Sequence, residues 1–115
     1  MRRGASVVLA VLLAAGSAGA VSAGSVTVRA TNGNVFEPEV TRVSKRTKVV
    51  WKNTSDRTHN VTATSGNWSK AATIPPGSAT GFTFRRVGRY RYRCTSHSTL
   101  QNGKCSGMCG RVVVR

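Results

Sequence analysis

The sequence predicts an all-β domain, a sandwich or barrel, on three observations. No apolar pattern of helical period survives past residue 24, short alternating or β-branched runs recur roughly every eight to twelve residues, and each run is bounded by turn-forming residues. The runs are, in order, Ser25 to Ala30, Val40 to Val43, Lys48 to Lys52, Thr58 to Thr64, Ala79 to Phe84, Arg89 to Cys94 and Arg111 to Arg115. Between them stand Asn32-Gly33-Asn34, Asn53-Thr54-Ser55-Asp56, Ser65-Gly66-Asn67, Pro75-Pro76-Gly77 and Val87-Gly88, which supply left-handed or pre-bent backbone. Neither an internal repeat nor a linker interrupts the series.

A chain of 115 residues holds one small domain. Acids occur only at Glu37, Glu39 and Asp56, too few for a calcium cage, a two-metal hydrolytic centre or paired catalytic carboxyls unless all three are recruited. Acid–base catalysis is disfavoured, and the protein is expected not to be an enzyme. The formal charge of +15 predicts attraction to anionic surfaces without choosing among them. Met1-Arg2-Arg3, the apolar run Ala5 to Ala15 and the small residues Gly16 to Gly24 have the order of a secretory signal peptide. The apolar run is too short for a membrane span, which needs about 20 residues. Cleavage is expected after Ala20 or Ala23. The later site makes residues 1–23 the signal and 24–115 the domain, and loss of Arg2 and Arg3 lowers the charge from +15 to +13. Export points to the periplasm, cell envelope or extracellular space and away from nucleic acid as a partner.

Along Arg89 to Cys94, Tyr90, Tyr92 and Cys94 share one face and Arg89, Arg91 and Arg93 the other, so Cys94 is expected to face the core. A buried thiolate is costly unless something compensates its charge, as a metal ion does. The same alternation places His59 on an apolar face with Val61 and Ala63. Soft and imidazole ligands then crowd the C-terminal region: Cys94, His97, Cys105, Met108 and Cys109. Two imidazoles and a thiolate with a long axial thioether form the ligand field of an electron-transfer copper site. Taken singly, a core histidine, a space-filling methionine and a small buried cysteine are ordinary packing residues. Their joint occurrence at strand ends of a β chain favours the metal.

From Val35 to Val114 the chain resembles the cupredoxins, the small blue copper proteins of the plastocyanin, pseudoazurin and amicyanin kind. The resemblance is carried by Val35-Phe36-Glu37-Pro38, by Val49-Val50-Trp51-Lys52-Asn53 with His59 after it, and by Ile74-Pro75-Pro76-Gly77 and Phe82-Thr83-Phe84. Gly88-Arg89-Tyr90-Arg91-Tyr92-Arg93-Cys94 with His97, and Gly107-Met108 followed by Gly110 and the closing valines, complete it. It implies a Greek-key β-sandwich, one copper ion cycling between Cu(I) and Cu(II), and His59, Cys94, His97 and Met108 as its ligands. Asn60 is implied as the residue that ties the ligand loops together, and His97 as the edge through which electrons pass.

Two positions depart from the family pattern. Arg46 stands where the family usually shows Gly in the turn Val43 to Lys48, and ten residues separate His97 from Met108, with Cys105 among them. Three cysteines in an exported chain leave one unpaired. With Cys94 on the metal, Cys105 and Cys109 are expected to form a disulfide in an oxidising compartment. The competing metal reading is a Cys₃His zinc site of Cys94, His97, Cys105 and Cys109, which leaves His59 and Met108 unused. Two further readings are an exported copper carrier with no shuttle role and a cysteine nucleophile activated by His97. The expected partner is a redox protein with an acidic docking surface, drawn to Arg85, Arg86, Arg89, Arg91, Arg93 and Arg111, or else an anionic cell envelope. The protein is expected to act as a monomer with no membrane span once the signal is removed. Asn53-Thr54-Ser55, Asn60-Val61-Thr62 and Asn67-Trp68-Ser69 match the glycosylation triplet.

Overall fold

Alternating side chains sort the strands into two layers. In the computed structural model, which describes residues 24–115, β1 (Ser25–Ala30), β2 (Phe36–Glu37), β4 (Lys48–Asn53) and β7 (Ala79–Thr83) form a sheet in the order β2-β1-β4-β7. The second sheet comprises β3 (Val40–Val43), β5 (His59–Ala63), β6 (Ala71–Ile74), β8 (Gly88–Gln101) and β9 (Lys104–Val114), in the order β3-β9-β8-β5-β6. β1 pairs parallel with β4 and β3 parallel with β9, because the chain crosses repeatedly between the layers instead of folding only as hairpins. This is the expected all-β sandwich, and no helix occurs among the described residues. The proposed signal segment, residues 1–23, lies outside the described residues.

The core lies where the inner faces meet. Trp51, fully buried on β4, packs against Tyr92 of β8 at 5.2 Å and Trp68 at 6.1 Å between ring centroids. Val28, Val49, Val61, Phe84 and Val112 close around them with no exposed surface. β8 follows its predicted alternation: Tyr90, Tyr92 and Cys94 are buried, and Arg89 and Arg91 are exposed. Burial pushes the Tyr92 hydroxyl up to about 12. Gly110 lies against that ring: a Cβ there would sit 2.5 Å from Tyr92 Cζ. Lys70 spans the open edge between the layers, donating to Thr80 Oγ1 (2.7 Å) and the Gly81 carbonyl (2.9 Å).

The largest addition to the predicted elements lies between His97 and Met108. The ten residues continue β8 and β9 as a hairpin arm, paired from Ser98↔Gly107 to Gln101↔Lys104 and closed by Asn102-Gly103 with φ of 53° and 77°. Two left-handed residues are what a two-residue hairpin turn needs, and Asn-Gly supplies them. At the arm's base the ladder breaks: Arg93 pairs with Cys109 and Ser98 with Gly107, so Cys94 to His97 stand opposite the single residue Met108. Four extended residues span about 13 Å, yet the Cα atoms of Cys105 and Cys109 are 6.2 Å apart and joined by a disulfide. β9 therefore folds sharply at Gly107, whose φ is 95°. The other departure noted in the sequence, Arg46, adopts a left-handed φ of 72° and donates its N–H to the Phe84 carbonyl at 2.6 Å.

Candidate metal centre

The break in the β8–β9 ladder and the start of β5 meet at one end of the sandwich. Cys94 and His59 are both fully buried there, and His97, on the bulged segment, is partly exposed. The thiol Sγ of Cys94 lies 3.7 Å from His59 Nδ1 and 3.5 Å from His97 Nδ1, and all three donor atoms fall within 4.8 Å of one another. An ion at ordinary first-row bond lengths, about 2.3 Å to sulfur and about 2.0 Å to nitrogen, sets sulfur and nitrogen about 3.5–3.8 Å apart. The spacing fits one ion.

Neighbouring groups hold these atoms in a ligating state. His59 Nε2 lies 3.2 Å from the Thr31 carbonyl, which can only accept, so Nε2 carries the proton and Nδ1 presents its lone pair toward the sulfur. Burial holds the His59 pKa below its usual 6.5 against the opposing Thr31 carbonyl, and His97 and Arg57 lower it further. The neutral, ligating form is thereby favoured. The Asn60 backbone N–H donates to Cys94 Sγ at 3.4 Å, a bond that a thiolate strengthens.

Asn60 bonds to the segment that follows Cys94. Its side-chain Nδ2 donates to Thr95 Oγ1 (3.0 Å) and its Oδ1 accepts from the Thr95 N–H (3.1 Å) and from Thr62 Oγ1 (2.8 Å). β5 and the bulged segment are so joined at Thr95, directly after Cys94. Met108 is fully buried and lies near His59, Cys94 and His97, opposite the bulge that runs from Cys94 to His97. Beside it a Cβ on Gly107 would be 2.5 Å from the His97 carbonyl oxygen, so only glycine permits this approach.

Three supporting contacts were not singled out in the sequence. Thr31 acts through its carbonyl, which no side-chain pattern reveals. Asn53, fully buried, donates Nδ2 to the carbonyls of Arg57 (2.6 Å) and Ile74 (2.7 Å) and accepts on Oδ1 from the Ser55 N–H (2.9 Å) and Oγ (2.6 Å). It shapes the turn that delivers His59, and with its amide so engaged the triplet at Asn53 is not available to a glycan in the folded chain. Ser98 Oγ donates to the Cys94 carbonyl (2.6 Å) and accepts from Arg93 Nη1 (3.0 Å), closing the bulge.

The disulfide removes the zinc alternative, since the sulfurs of Cys105 and Cys109 are bonded to each other and Cys94 is the free cysteine among the described residues. Access counts against the nucleophile reading, since Cys94 has no exposed surface.

A family model described as a cupredoxin-like domain matches residues 4–105. The chain belongs to the cupredoxin-like family. Among solved structures, a purple cupredoxin from Nitrosopumilus maritimus superposes with a TM-score of 0.65 at 18% identity, over 78% of this chain and 99% of that one, which bears on the fold alone. Two methionine-to-alanine mutants of amicyanin, both described as Cu(I) forms, give TM-scores of 0.66 and 0.67. Their identities are 25% and 27%, over 79% and 84% of this chain and 82% and 87% of theirs. No curated protein matches the chain.

Proposed function

We propose that the protein is an exported electron carrier that would hold one copper ion on His59, Cys94 and His97, with Met108 as a fourth ligand. The observation that carries this reading is the set of two imidazole nitrogens and one buried thiol sulfur at the spacing of a single ion. Copper bound by such a soft, mixed set supplies a one-electron Cu(I)/Cu(II) couple. The Cu(I) forms of amicyanin among the similar structures support that choice of metal.

The chain's own groups do the rest. Thr31 fixes the His59 tautomer, Asn60 holds the sulfur and the following segment, and buried Trp51 and Tyr92 belong to the core beneath them. A frame braced from both sheets moves little when the charge at its centre changes, which favours rapid exchange. His97 alone of the three donors is partly exposed, which supports its ring as the point of electron entry and exit toward a redox partner. The basic signal-like N-terminus supports export.

A shuttle and a copper carrier share these ligands and differ in kinetics. Stopped-flow mixing with a soluble one-electron oxidant should oxidise the reduced, copper-loaded protein far faster than a chelator removes its metal. Copper release that keeps pace with electron exchange would favour the carrier.

A further inference from the structure

The outer face of the five-stranded sheet, from three residues before Cys94 toward the far end of the sandwich, is an array of arginines that form no ion pair among the described residues. Arg42, Arg89, Arg91, Arg111, Val113 and Arg115 line one shallow groove of about 400 Å³ across β3, β9 and β8. Register brings them together: Arg91 faces Arg111 directly, and Val113 lies between Arg42 and Arg89. Like charges opposite one another weaken a sheet, and ordinary solvated faces mix the two signs. Here no acid answers them. Among the described residues Glu37 pairs with Arg29 and Asp56 with Arg57, while Glu39, in the adjoining cleft with Arg91 and Arg111, forms no ion pair.

The array continues onto the turn before β8. Val87 is 63% exposed, follows Arg85 and Arg86, and leads through Gly88 to Arg89. An apolar tip set among arginines suits a bilayer surface, where side chains enter the headgroup layer while guanidinium groups engage lipid phosphates. A soluble acidic partner explains the arginines and leaves Val87 without a role. Val87 is seven residues from Cys94, about 23 Å along an extended strand. His97 lies beyond Cys94 at the other end.

We infer that this arginine face and the Val87 tip form a docking surface for an anionic phospholipid bilayer. Seated in this way, the protein holds the His97 end away from the lipid, open to a redox partner; that orientation rests on the copper reading, and the lipid contact does not.

The test is co-sedimentation of the full chain with phosphatidylcholine vesicles, with and without phosphatidylglycerol, across a salt series. Uptake through the N-terminal segment, where Arg2 and Arg3 precede apolar residues 5–15 and also favour anionic lipid, is the same in every variant, so the comparison of variants isolates the face. Retention on the phosphatidylglycerol vesicles should exceed that on neutral ones and fall as salt rises. Arg89→Gln and Arg111→Gln should each lower the affinity about fivefold, and the charge-neutral Val87→Ser should lower it as well, with unchanged circular dichroism. Equal retention on both vesicles, or a flat salt series for the unsubstituted chain, overturns the proposal without needing a variant. Displacement by soluble polyglutamate with Val87→Ser silent overturns the proposal and assigns the face to an acidic protein instead. No metal enters the readout, so a failed copper site and a failed lipid site are told apart.

Discussion

The candidate centre has two halves built in different ways. His59, Cys94 and Asn60 belong to β5 and β8 inside the sandwich, where burial and hydrogen bonds to Thr31 and Thr95 fix them. His97 and Met108 sit where β8 and β9 leave the sandwich, positioned by a broken register, the left-handed Gly107, the Ser98 bridge and a disulfide. The first half is a consequence of folding, whereas the second depends on local devices added to a fold that stands without them. Substitutions around the first half should lower stability and site together. Those around the second should alter the site while the sandwich survives.

The largest effect is expected at Asn53, which anchors the turn before His59. Asn53→Ala takes the amide donor from the buried Ile74 carbonyl and the acceptor from the Ser55 N–H, and should cost about 3 kcal/mol in denaturant unfolding, with weaker metal uptake. Unchanged stability would break the claim that folding fixes the first half. Next comes Cys105→Ser with Cys109→Ser. Opening so small a loop should cost about 2 kcal/mol or less on the chain-entropy model, yet it should shift the absorption of the copper-loaded protein by loosening Met108. A spectrum identical to the parent's would show that the clip has no part in the centre.

The metal-free protein should also lose stability in acid. His59 has a folded-state pKa below its unfolded 6.5, so the unfolded chain binds more protons in the interval between them. Its contribution is complete above pH 6.5 and declines as pH falls through that interval. Denaturant midpoints should drop on acidification, and His59→Asn should make the drop shallower; an equal drop in that variant would place the titration elsewhere. The smallest effect is at Arg46, outside both halves. With φ of 72°, Arg46→Gly should stabilise by up to about 1 kcal/mol and leave the metal site unchanged.

The parts legible in the sequence were those in which a side chain answers a local demand. β3 has its predicted bounds, and the Tyr and Arg alternation along β8 matches its burial, because one face meets a core and the other meets water. β2, with two residues, is too short to show a period, and β6, Ala71–Ile74, is defined by its pairing with β5 and not by its alanine-rich sequence. The arm shows no strand pattern in the sequence because its residues are mostly exposed and no core imposes an alternation on them. Asn102-Gly103 was the available signal. His59, Cys94, His97 and Met108 were legible as candidates because soft and imidazole side chains seldom gather by chance, and Asn60 only through the resemblance to the family. Thr31 and Ser98 were not, since each acts on or through a carbonyl placed by tertiary structure.

Addition of Cu(II) to the metal-free protein tests the central claim most directly. One equivalent should produce an intense visible thiolate-to-copper band that ascorbate bleaches and reoxidation restores, and Cys94→Ser should abolish it. A folded protein that stays colourless, or keeps its visible band when Cys94 is replaced, would contradict a centre built on that sulfur.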